Sequence, residues 1–178
     1  MHRRAFITTS LGLGILGAGG LPQAACGMGL SEGLLARELA DLRFSLVNAL
    51  NTRDAGAFAG TYAEDGVWEV AGGTASVGRD AIRARLEGVF KRYPWLLQTN
   101  HDAKVLSASA TEARARVYFS EHGSVEGESR FVMGVYDERC VRRAGAWLYA
   151  RRTATILYSG PPDLSAPMRR PIPPIPGA

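Results

Sequence analysis

Histidine is scarce in this chain: three in 178 residues, at positions 2, 101 and 122. Cysteine is scarcer, with Cys26 and Cys140 only, and so is lysine, with Lys91 and Lys104 only. Two usable histidines and scattered carboxylates make no recognisable ligand spacing, so no metal is expected. The glycine-rich stretch "GLGILGAGG" lies in the apolar N-terminus and is a false match for a dinucleotide loop, so no cofactor is expected either. No apolar run is long and glycine-poor enough for a comfortable membrane span. The formal charge of +4 is carried by arginine, 19 against 2 lysines, and four of those arginines sit near the two ends. Residues 28–158 hold 17 Lys+Arg against 16 Asp+Glu, which argues against a nucleic-acid partner.

What is present divides the chain in three. Residues 1–27 have a basic start, an apolar stretch and a small-residue end, as a signal peptide does. Arg3 and Arg4 followed by Phe6 and Ile7 resemble a twin-arginine export motif. The expected location is therefore exported, periplasmic, with cleavage between Ala24 and Met28. Cys26 is the alternative, as a lipid-modified cysteine. Without Cys26, Cys140 has no intramolecular partner and is read as a small packing residue. Residues 28–158 form the folded domain. Residues 159–178 carry seven prolines and form an extended or disordered tail, available to lie over a partner subunit.

Within the domain the hydrophobic period changes. Leu35, Leu39, Leu42, Leu46 and Leu50 make one stripe of an amphipathic helix, with Ser31 as its N-cap. Asp54 caps a second helix containing Phe58 and Tyr62, and Asp80 begins a third that ends before Pro94. "VWEVAGG" lies between them as a strand. Beyond Pro94 the period is two: 96–109, 112–122, 128–143 and 146–158 read as long strands joined by short turns. Three N-terminal helices followed by an antiparallel meander is an α+β pattern.

Several of these segments, in this order, resemble the SnoaL-like branch of the nuclear-transport-factor-2-like superfamily. They are "NALNTRDAGAFAGTYAEDGVWE", "VGRDAI", "QTN" and "GVYDERCVRRAGAWLYARRTA". The resemblance covers residues 31–158. It implies a strongly curved antiparallel sheet wrapped around the helices as a conical α+β barrel, with a ligand pocket at one end. It also implies the chemistry of scytalone dehydratase, dehydrochlorinase and polyketide cyclase relatives.

In the dehydratase and dehydrochlorinase relatives, the position of Asn51 holds an aspartate that orients a histidine. That histidine falls at Leu96 here, so the dyad is degenerate. His122 matches the dehydratase's second histidine, and Tyr136 stands where it has an asparagine. The resemblance therefore implies His122 as base, Asn51 as its orienter and Tyr136 as a donor to a developing oxyanion. An equal alternative has Asn51 tying down loop backbone. Tyr62, Trp68, Trp95, Leu96, Asn100 and Tyr118 are candidate ligand-binding residues. The expected function is a cofactor-free lyase or isomerase acting by elimination, hydration or isomerisation. The alternative is a non-catalytic small-molecule-binding or assembly domain. The expected partners are a small-molecule ligand and a second copy of the chain, as a homodimer or higher oligomer.

Overall fold

The computed structural model describes residues 24–175. Almost all of the proposed leader lies outside the described residues. Helix α1 spans Ala24–Asn51, so it begins before Ser31, which lies inside the helix and does not cap it. Its Leu39, Leu42, Leu46 and Leu50 are buried, as the three-and-four spacing demands, and Leu35 packs against them. Helix α2, Ala55–Gly60, is capped by Asp54, whose Oδ1 accepts from the Ala57 N–H at 2.8 Å. Tyr62 is not part of that helix. It opens strand β1, Tyr62–Val70, which pairs with the two-residue strand β2, Ser76–Val77. Helix α3, Arg79–Arg92, follows.

The long strands are β3, Trp95–Ala108; β4, Glu112–Val125; β5, Glu128–Arg143; and β6, Ala146–Gly160. They form an antiparallel meander in one sheet of order β2-β1-β6-β5-β4-β3. The sheet is α+β in setting and curved, but it stays open, with β3 at one edge. It is also not wholly antiparallel, because β1 runs parallel to β6. Strands so far apart in sequence need no hairpin, so hairpin reasoning does not reach that pair. Register shifts at Asn100/Ala103, Val105/Ser107, Met133/Gly134 and Arg139/Cys140 supply the curvature. At Gly134 a Cβ would lie 2.4 Å from the Thr155 carbonyl and 2.9 Å from the Phe119 ring. The missing side chain lets Phe119 lie flat on β5 and form part of the inner wall.

Alternation sorts each strand into two faces. On β4, Ala113, Ala115, Val117, Phe119, Glu121 and Gly123 face the helices, while Arg114, Arg116, Tyr118, Ser120 and His122 face away. The proline-rich tail lies against its own domain. Arg116 donates to the carbonyls of Pro173 (2.7 Å) and Pro174 (3.1 Å), and Arg170 donates to that of Ala71 (2.9 Å). Among the described residues no helix is long and apolar enough to cross a membrane.

Candidate functional site

Asn51 ends α1 beside the edge strand. Its Nδ2 donates to the Gln98 carbonyl at 2.9 Å, and its Oδ1 accepts from the Gln98 N–H at 2.8 Å. An edge strand has main-chain donors and acceptors with no neighbouring strand. A primary amide offers one donor and one acceptor side by side, so Asn51 serves Gln98 as a strand would. Both ends of the amide are committed. The side chain therefore ties α1 to β3, and its geometry is set by that backbone pair, not by a histidine.

That clamp fixes the wall of a cavity of about 160 Å³ inside the cone. Leu50, Phe58, Val70, Leu86, Leu96 and Phe119 supply much of its apolar surface. Its polar groups include Gln98, Glu121 and Tyr136, with Arg85 and Trp68 on the side of α3 and β1. Gln98 pairs in register with Glu121 across β3 and β4. The Gln98 Nε2 donates to Asn100 Oδ1 at 3.0 Å, and the Tyr136 hydroxyl reaches toward Gln98 Oε1 at 3.5 Å, at the limit of a hydrogen bond.

Glu121 is the unexpected member. It keeps some accessible surface and lines the cavity, yet no hydrogen bond reaches its carboxyl among the described residues. Burial pushes the carboxyl pKa up to about 7, against the opposing pull of the Arg152 guanidinium. Burial likewise raises the Tyr136 phenol, again opposed by Arg152, so it is a neutral donor across the physiological range. Arg152 is fully buried, with its Cζ 3.3 Å from the centre of the Tyr136 ring. Its Nε donates to Glu138 at 3.1 Å, and Arg43 Nε donates to the other oxygen of the same carboxylate at 2.9 Å. The interior behind Tyr136 is thus a fixed arginine–glutamate–arginine group. Cys140, beside it, is inert, because burial pushes its thiol up to about 12.

His101 and His122 lie elsewhere. His122 is exposed, on the face of β4 opposite to Glu121, with its ring centre 4.8 Å from that of Phe131. His101 Nε2 is 3.0 Å from Ser120 Oγ on the same outer face. Both line an outer groove of about 430 Å³ that does not include Asn51 or Tyr136. The expectation that His122, Asn51 and Tyr136 converge is therefore not met: strand alternation turns His122 outward, and Asn51 is bonded to backbone. Of the other candidates, Trp68 and Leu96 line the cavity together with Tyr136. Tyr118 and Trp95 are exposed, and Tyr118 belongs to the outer groove. Tyr62 is fully buried in the core against Phe58 and Tyr149, and Asn100 supports Gln98 from beside the cavity. A larger groove of about 690 Å³ lies between the outer part of α1 and the β3–β4 turn. Its carboxylate, Glu38, is already held by Arg142 and Trp147.

The architecture is shared with several solved structures. A putative scytalone dehydratase from Novosphingobium aromaticivorans is 21% identical, with a TM-score of 0.70, covering 81% of this chain and 97% of its own. The hexachlorocyclohexane dehydrochlorinase LinA-type3 from Novosphingobium barchaimii is 18% identical, with a TM-score of 0.69, covering 80% and 99%. ActVI-ORFA from Streptomyces coelicolor is 22% identical, with a TM-score of 0.60, covering 68% and 97%. At these identities the likeness is one of fold. No curated protein matches the chain in sequence. Residues 34–153, most of the domain that forms the cone and its cavity, match the SnoaL-like domain, and the chain belongs to that family.

Proposed function

We propose that the cone cavity binds a small, largely apolar molecule and moves a proton on it without a cofactor, in an elimination, hydration or isomerisation. Glu121 takes the role that the resemblance had given to His122. Its carboxylate removes a proton from carbon, and the Tyr136 hydroxyl donates to the oxygen on which charge develops. Asn51 takes part by holding β3, and so Gln98, in place. The observation that carries this reading is one carboxyl, without a hydrogen-bond partner, in an apolar cavity and tuned by burial to about 7. A general base is most effective when its pKa lies near the working pH.

The family resemblance supports the reaction class, since relatives of this fold include structures named as a dehydratase and a dehydrochlorinase. A second reading, binding without turnover, is favoured by Leu96 at the dyad histidine's position. Deuterium uptake from D2O into a panel of small cyclic ketones, followed by NMR, separates the two. Uptake should rise with pH through about 7 and disappear in Glu121→Gln. Uptake no faster than in buffer alone, in both proteins, would leave the binding reading. We further propose a homodimer or higher oligomer and periplasmic export. Light scattering at micromolar concentration that finds only monomer would remove the first.

A further inference from the structure

Arg85 is the one cation among the described residues lining the cavity. It reaches from α3 across the indole of Trp68, with its Cζ 4.7 Å from the ring centre. Its Nη1 donates to the carbonyls of Trp68 (3.2 Å) and Thr74 (3.0 Å), so the guanidinium is fixed where α3 meets the turn after β1. A guanidinium has five N–H groups. Two are used by those carbonyls. The three on Nε and Nη2 meet no acceptor among the described residues, and neither atom is sealed from solvent. No carboxylate pairs with Arg85 there, whereas Arg43, Arg116, Arg142, Arg151 and Arg152 each have one.

The geometry of the free edge is informative. Arg116 grips Asp137 through its Nε (2.8 Å to Oδ1) and its Nη2 (2.9 Å to Oδ2). That side-on edge is the one a planar carboxylate fits with two parallel hydrogen bonds. It is also the edge left open on Arg85. The Trp68 Nε1–H below is buried and without an acceptor. We propose that Arg85 is a specificity-determining anchor for a carboxylate on the cavity's ligand. The ligand class is then a small aromatic or alicyclic acid. Its carboxylate sits at Arg85, and its ring reaches inward toward Glu121 and Tyr136. This rests on the cavity being the binding site, as proposed above.

The test compares benzoate with benzamide, which share a ring and shape but differ in charge. Binding is read from the ¹H–¹⁵N signal of the Trp68 indole. In the native protein benzoate should bind about tenfold more tightly than benzamide, and added salt should weaken benzoate alone. Arg85→Gln should abolish the preference, while Arg83→Gln, on the exposed face of α3, should keep it. Equal binding of the two ligands to the native protein would overturn the anchor and leave the cavity reading standing. Survival of the preference in Arg85→Gln would do the same. If neither ligand moves the Trp68 signal, the cavity reading falls and the anchor with it. Should Arg85→Gln fail to fold, the native comparison and its salt dependence decide alone.

Discussion

Asn51→Asp replaces one atom's worth of chemistry and should expose what the amide does. The native side chain donates to Gln98 O and accepts from Gln98 N. An ionised carboxylate keeps the second bond and loses the first. It also sets a charged oxygen about where Nδ2 stood, 2.9 Å from a carbonyl oxygen. An unsatisfied, partly buried acceptor costs ~1–3 kcal/mol, and the added repulsion puts the total at the upper half of that range. For a domain of this size ~2–3 kcal/mol lowers Tm by roughly 5–10 °C. The protonated carboxyl, by contrast, restores the donor. Folding therefore favours the protonated form, and the introduced group's folded pKa rises above its unfolded ~3.9, by ~2 units for ~2.7 kcal/mol. A raised carboxyl of this kind is harmless below ~4, and its cost grows as pH rises toward ~6, then levels off. Urea titrations of both proteins at about pH 4 and about pH 7.5 measure this. The difference between them should be at least ~1 kcal/mol larger at the higher pH. Asn51→Leu, which cannot ionise, should lose stability equally at both. A pH-independent loss in Asn51→Asp would refute the clamp. The His122 ring signals should titrate unchanged in this variant. A shift would return Asn51 and His122 to one site.

Glu138→Gln should cost ~3–5 kcal/mol in urea unfolding, because Arg43 and Arg152 are left sharing no counter-charge in the interior. Glu121 makes the native protein lose stability as pH rises, since its folded pKa of about 7 lies above the unfolded value near ~4.3. Glu121→Gln should match the native protein below about pH 4 and gain on it through about pH 7. A constant difference across that window would mean that the carboxyl is not raised. For export, Arg3→Lys combined with Arg4→Lys should hold the protein in the cytoplasm, as shown by cell fractionation. Normal delivery of the double variant would end the twin-arginine reading.

The helices and long strands were legible because the hydrophobic period is clean on both sides of Pro94. Leu39, Leu42, Leu46 and Leu50 announce one face, and the alternation through 112–122 announces two. The parallel pairing of β1 with β6 was not legible, since nothing local records which distant strand a segment will meet. The candidate site was half legible. Trp68, Leu96 and Tyr136 line the cavity, but the resemblance that points to His122 carries no information on which face of β4 that residue takes. Ala113, Ala115, Val117 and Phe119 set the inward phase of β4, and that phase continues to Glu121 and excludes His122. The burial that raises the Glu121 carboxyl comes from residues on most of the other elements, and no spacing rule reports it. Asn51 could be recognised as an amide in need of partners. That its partner was an unpaired strand edge depended on the sheet being open.

The clamp between Asn51 and Gln98 also constrains descent. An aspartate that serves a histidine and an amide that closes a sheet edge make incompatible demands on one position. A lineage that settles on the amide has given that position to architecture. Returning to the carboxylate then passes through a less stable intermediate before any histidine is in place to benefit from it. New chemistry would more readily arise from wall residues that the clamp leaves free, and the residue facing Gln98 across the strands is Glu121. Neighbouring lineages of one fold would then be separated less by the reactions they can perform than by the order in which their edges were sealed.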